Sequence, residues 1–287
     1  MKLHTIETGF FKLDGGAMFG VVPKQIWQKL CPPDALNLCT WAMRCLLVET
    51  SNRLILIDTG IGSKQPDKFL AHYHLHGSHT LHSSLANKGF NRHDLTDVIL
   101  THLHFDHCGG AIDRTADGTL VPAFKNARYW TNTPHWDWAT QPNDREKASF
   151  LPDNILPLLS SGQLNFVPTN GTQTVAFDGE LNLSLRMAFG HTQAMMLPQI
   201  TVGETTIVFM ADLIPSVAHL PLPYVMGYDM FPCTTLQEKK SFLEEALAGN
   251  YVLFFEHDAH TACCTLAQTE KGIRAGNTGS LTDFIAA

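Results

Sequence analysis

Between Thr101 and Gly110 the chain reads Thr-His-Leu-His-Phe-Asp-His-Cys-Gly-Gly, packing three imidazoles and a carboxylate into the six positions from His102 to His107. The segment follows the apolar, β-branched run Val98-Ile99-Leu100, so it is a loop at the end of a strand. Imidazole nitrogen and carboxylate oxygen are donors that zinc and other first-row divalent ions accept. Alternation along a loop lets His102 and His104 aim at one centre, and Asp106 and His107 then face a second. Gly109 and Gly110 allow the backbone to pass close to the cluster and turn sharply, as residues with a Cβ could not.

Short apolar or β-branched runs bounded by turn residues recur at 41–48, 54–57, 98–100, 127–131, 181–187, 196–202, 205–210 and 251–255, and each predicts a strand. Residues 49–52 turn one run back on the next, and Gly203-Glu204 does the same between 199–202 and 205–210, so both halves of the chain begin with antiparallel pairing. Helical spacing spans Leu81 to Asn87, stopped at Gly89, and also 236–247, where Thr234 or Thr235 can cap and Gly249 can stop the helix. A mixed α/β architecture follows. Residues 134–153, rich in Trp, Asn, Gln and Pro, lack a clear period and predict a surface insertion, either a packed loop or a lid over a site. Nothing resembling a repeat or a linker divides residues 1–287, which predicts one domain. Its N-terminal segment 1–40 carries Phe10, Phe11, Met18, Phe19 and Trp27, candidates for a dimer contact or a cleft wall.

With 287 residues, 44% hydrophobic and 16% charged, the chain can bury a substantial core. A net charge of -7 offers no basic field for a phosphate backbone, so nucleic acid is not an expected partner. Polar residues interrupt the first stretch, Met-Lys-Leu-His-Thr-Ile-Glu-Thr, and no run approaches the ~18 apolar residues of a membrane span, so the expectation is a soluble, unexported protein without a membrane partner. Seven cysteines, an odd number widely spread, do not form a disulfide framework and fit a reducing cytoplasm. Among the 15 histidines, His72, His74, His76, His79 and His82 are spaced as a solvated loop interrupted by Gly77, and His219 and His260 are also read as outside the metal set.

The segment from His102 to His107 resembles the HxHxDH signature of the metallo-β-lactamase-fold hydrolases, and the similarity extends in order along the chain. Leu54-Ile55-Leu56-Ile57-Asp58-Thr59-Gly60, Gly190-His191-Thr192, Met210-Ala211-Asp212 and Phe254-Phe255-Glu256-His257 match the other strand-end elements of that superfamily. The resemblance implies an αββα four-layer sandwich, with one metal held by His102, His104 and His191, a second by Asp106, His107 and His257, and Asp212 bridging them. It assigns Asp58 to orienting a ligand by a hydrogen bond. Two divalent ions are implied, zinc foremost, with manganese, iron or cobalt also compatible with such ligands. His104, standing where the oxygen-reducing diiron branch resembles HxExDH, argues against that branch.

The stretch after Asp212, through Pro215 and Leu220 to Asp229, is similar to the quorum-quenching, YtnP-like lactonases and also to methyl parathion hydrolase. The resemblance implies a lactonase that opens N-acyl homoserine lactones or related lactones by attack of a metal-bridging hydroxide, with Asp212 and Asp106 as catalytic carboxylates. A phosphotriesterase or arylesterase is the alternative, and a metal-free binding module a more remote one. Lactonases of this kind carry a Tyr shortly after the bridging Asp; here Pro215 takes that place, and Tyr224 or Tyr228 is the candidate replacement. Phe105 and Leu220 are the further candidate substrate contacts, suited to an acyl tail. The partners expected are therefore a small lactone or ester and, by the same resemblance, a second copy of the chain in a homodimer.

Overall fold

The strand Leu54–Ile57 is buried at all four positions, as an uninterrupted apolar run in the middle of a sheet requires. It belongs to the first of two compact units in a computed structural model that describes residues 1–169 and 174–285. This unit comprises Met1–Gly9 and Met43–Val175. Its six-stranded sheet runs in the order Lys2–Ile6, Cys45–Glu49, Leu54–Ile57, Asp97–Ile99, Arg128–Asn132, Leu164–Val167. The first two pairings are antiparallel and the remaining three parallel. Five of the six strands thus share a direction, Cys45–Glu49 running against them, and the segments bearing Asp58 and His102 leave the C-terminal ends of two of the five, the edge at which open parallel sheets carry their sites. Leu47, Leu56, Val98, Leu100, Phe124 and Tyr129 anchor the core. The helix Leu81–Asn87 falls where its spacing predicts and is capped by Thr80.

The second unit comprises Phe10–Ala42 and Ala176–Ala287. Its main sheet runs in the order Thr174–Asp178, Leu183–Ala188, Met195–Val202, Thr205–Phe209, Val252–Phe254, Cys263–Thr269, Gly272–Gly279. Leu183–Ala188 and Thr205–Phe209 each pair antiparallel with the strand between them, and Thr205–Phe209 pairs in parallel with Val252–Phe254. Leu183–Ala188, Thr205–Phe209 and Val252–Phe254 therefore point the same way, and the next few residues after each are Gly190-His191, Ala211-Asp212 and Glu256-His257. The helix Pro232–Ala248 turns Thr235, Lys239, Phe242, Leu243 and Ala246 inward, a single stripe at helical spacing.

Several elements differ from the sequence reading. The run 41–48 is two strands, Leu38–Ala42 and Cys45–Glu49, because the chain leaves one sheet at Met43 and enters another. Both strands are mostly apolar, so the break leaves no trace in hydropathy. The last long helix starts at Pro232, whose ring suits the first helical position, so Thr234 and Thr235 lie inside the helix instead of capping it. Residues 134–153 are not a purely irregular surface run: helix Thr133–Thr140 opens them, capped by Asn132, and His135, Trp136, Ala139, Glu146 and Phe150 are buried.

Candidate metal centre

In the first unit Asp58 follows its strand in a left-handed conformation, φ 57°, with a fully buried side chain. A non-glycine residue held there is strained, a condition that structures maintain mainly at functional positions. One carboxylate oxygen accepts the Thr101 N–H at 2.7 Å; the other accepts the Thr101 hydroxyl at 2.6 Å and His107 Nδ1 at 3.1 Å. Because a carboxylate only accepts, the His107 proton sits on Nδ1 and the lone pair on Nε2, which lies 3.8 Å from Asp106 Oδ2. His104 follows the same logic with its nitrogens exchanged: Nε2 donates to Glu146 Oε1 at 2.9 Å, leaving the lone pair on Nδ1. His102 Nδ1 lies 3.1 Å from the Thr101 hydroxyl. The His102 ring centre is 4.5 Å from that of His104 and 3.9 Å from that of His107. Beneath the loop, fully buried His135 accepts the Leu103 N–H on Nε2 at 2.8 Å, fixing the peptide between the first two imidazoles. A Cβ on Gly109 or Gly110 would collide with the Ile61 or Thr59 carbonyl, so the close approach expected at this pair is real. Burial pushes the Cys108 thiol up to about 12, and its Sγ rests 3.3 Å from the Leu103 carbonyl, which makes it a packing residue.

In the second unit His191 Nδ1 lies 2.8 Å from Asp229 Oδ1 and its Nε2 lies 3.2 Å from Asp212 Oδ2. His257 gives Nδ1 to the Ala42 carbonyl at 2.8 Å and brings Nε2 to 3.1 Å from Asp212 Oδ1. One carboxylate thus has an imidazole nitrogen at each oxygen. If these contacts were hydrogen bonds, both rings would have to be doubly protonated and charged in a buried place. Metal cations satisfy the same geometry with neutral rings, the lone pairs and carboxylate oxygens becoming ligand atoms. The donor set therefore fits divalent metal. Ala211, immediately before Asp212, is a second strained non-glycine residue, φ 41°.

Of the candidate substrate residues, Phe105 packs its ring 4.7 Å from that of Tyr73, and Leu220 is buried. Tyr224 meets Phe19 edge-on at 6.3 Å, whereas Tyr228 is half-exposed. His219 is structural: buried, stacked on Phe19 at 4.5 Å, and hydrogen-bonded to the Met18 carbonyl and the Ser216 hydroxyl. The five histidines of 72–82 are all exposed, as is His260. Glu146, His135 and Asp229 escaped the sequence reading, which offers no local signal for partners that act from distant positions in the chain.

The metallo-beta-lactamase superfamily model matches residues 44–257, a span that contains every strand-end motif just described. The chain belongs to the metallo-beta-lactamase superfamily. It has the superfamily's fold, of the α/β class, and is a metal-dependent hydrolase. Similar proteins include the N-acyl homoserine lactonase AiiA of Bacillus thuringiensis subsp. kurstaki, 24% identical over 271 residues that cover 90% of this chain and 93% of the relative. A probable metal-dependent hydrolase from Staphylococcus aureus superposes with a TM-score of 0.86 at 26% identity, covering 96% of this chain and 95% of the other. AidC, a dizinc quorum-quenching lactonase solved with the product N-hexanoyl-L-homoserine, superposes at 0.75 with 22% identity, covering 97% and 95%. Among the described residues, no helix is long and apolar enough to cross a membrane.

Proposed function

We propose that this superfamily member is a dinuclear lactonase that opens N-acyl homoserine lactones or closely related lactones. The observation that carries the reading is the Asp212 carboxylate with His191 Nε2 at one oxygen and His257 Nε2 at the other, in a chain whose curated relatives are N-acyl homoserine lactonases. Buried metal-capable side chains in each unit support it: His102, His104, Asp106 and His107 in the first, and His191, Asp212 and His257 in the second. In this reading His102, His104 and His191 would hold one ion and Asp106, His107 and His257 a second, zinc in first place, Asp212 would contribute to both, and residues 1–287 would work as one domain. Bound there, such ions lower the pKa of a water towards neutrality and polarise a carbonyl.

The chain's own groups do the rest. Asp58, Glu146 and Asp229 each occupy one nitrogen of a ligand imidazole and so fix its tautomer and direction. Asp106 and Asp212 are the carboxylates able to take the proton released when water adds to the lactone carbonyl. Returning it to the ring oxygen as the C–O bond breaks yields the open hydroxy acid. Phe11, Met18, Phe19 and Trp27 are buried within the chain and so do not form the dimer contact read from the sequence; Val21, Ile26, Leu30 and Leu36, apolar yet exposed, support a homodimer built through residues 10–40 instead. Among the described residues no two cysteines are joined in a disulfide, in keeping with a reducing cytoplasm.

Initial rates of the metal-loaded enzyme on an N-acyl homoserine lactone, an aryl ester and a phosphotriester test the substrate class. The lactone should be turned over at least about tenfold more efficiently than either competitor. Preference for the phosphotriester would replace the lactonase reading.

A further inference from the structure

Beside the HxHxDH segment the helix Asp67–Leu70 runs into a 3-10 turn, Ala71–Tyr73, which ends at His74 in a left-handed conformation. The turn presents Tyr73 to Phe105, the residue between His104 and Asp106. Their ring centres are 4.7 Å apart, and Phe69 closes the group at 5.1 Å from Tyr73 and 5.6 Å from Phe105. The ring is thereby held from two sides, and one of those sides belongs to the ligand-bearing helix Phe105–Cys108.

The phenol oxygen is different. Tyr73 is only partly buried, and its hydroxyl makes no hydrogen bond to any described protein group, which leaves it available as a donor. Burial, with the Asp106 carboxylate adding to it, raises the phenol to about 12, so the hydroxyl keeps its proton throughout the neutral range. An O–H donor with a fixed ring, an open valence and a metal-capable carboxylate within electrostatic reach suits an acceptor that arrives with the substrate.

We propose that Tyr73 is a substrate-contacting residue whose hydroxyl donates a hydrogen bond to an oxygen of the ester or lactone undergoing hydrolysis, with Phe69 and Phe105 holding the ring in position. The inference rests on the hydrolase reading above, but not on the lactone being the preferred ester.

Tyr73→Phe removes one oxygen and leaves the three-ring packing intact. The test compares metal-loaded wild type and variant in melting temperature, zinc content, kcat/KM, and calorimetric affinity for N-hexanoyl-L-homoserine, the product of lactone opening. Melting temperature and zinc content should be unchanged, product affinity should fall about 5- to 10-fold, and kcat/KM about tenfold, as expected for one lost hydrogen bond to substrate. Unchanged affinity and kcat/KM in a variant of a hydrolysing wild type would overturn the role of Tyr73 while leaving the lactonase reading intact. If the wild type hydrolyses only aryl esters or phosphotriesters, the lactonase reading fails, and the ratio of wild type to Tyr73→Phe on those substrates decides Tyr73 separately. If the wild type hydrolyses none of them, both fall.

Discussion

Asp229 illustrates how little of a ligand's geometry lies in the ligand. Its Oδ1 holds His191 Nδ1 at 2.8 Å, which leaves the lone pair on Nε2 open to the proposed metal and fixes the ring plane. Partners of this kind typically carry 10- to 100-fold in metal affinity, so Asp229→Ala should weaken zinc binding by that factor in a chelator competition while the chain stays folded. Unaltered affinity would remove Asp229 from the account. Burial lowers His219 to about 3, while its ordinary value is 6.5. Between those values the unfolded chain binds a proton that the folded chain does not, so stability falls as pH drops below about 6.5, by up to about 1.4 kcal/mol per pH unit, and levels off near 3. His219→Phe should show a shallower acid slope in denaturant titrations from pH 7 to 4.5, despite lower stability at pH 7; parallel curves would contradict this origin. The seven proposed metal ligands were legible because their residue types recur at strand ends. Asp229, Glu146 and His135 were not, because a hydrogen-bond partner 30 or more residues away carries no local pattern.

At the scale of elements, the helix Pro232–Ala248 does more than cover a sheet. Glu238 accepts the Phe189 and Gly190 N–H groups at 2.7 and 3.0 Å, and the Phe231 N–H reaches the Gly190 carbonyl at 2.8 Å, so the helix and its entry hold the turn before His191. A Cβ at Gly190 would run into the Thr235 backbone. Gly190→Ala should therefore cost about 1–3 kcal/mol and displace His191, read as a lower unfolding midpoint together with reduced zinc occupancy. A variant as stable and as metal-rich as the wild type would show that the helix does not constrain this turn. The strand Leu54–Ile57, the helix Leu81–Asn87 and the turn at Gly203-Glu204 were readable because each combines a clear period with a stop signal. The strand Gly272–Gly279 was not, since Gly272, Gly276 and Gly279 suppress β propensity and its pairing with Cys263–Thr269 supplies the missing specification. Helix Thr133–Thr140 was also hidden: a polar, Pro-containing sequence forms a helix because Asn132 caps it and Trp136 and His135 are buried.

For the whole molecule, both compact units are built on the same plan, a sheet in which several strands share a direction and metal-capable side chains follow their C-terminal ends. The superfamily was legible because this plan writes an ordered series of short motifs into the chain. The acyl preference was not, because apolar residues such as Met195 and Met196 are core residues here and look identical in sequence to residues lining a pocket. The central claim is that hydrolysis depends on the metals and is directed at lactones. It is tested most directly by the initial rate of proton release from a long-chain N-acyl homoserine lactone, measured on protein reconstituted with zinc or manganese and on the same preparation stripped by chelator. The account predicts rapid release from the reconstituted sample, loss of at least about 100-fold on stripping, and recovery when metal is returned. No release from a sample shown to contain two metal equivalents would contradict it.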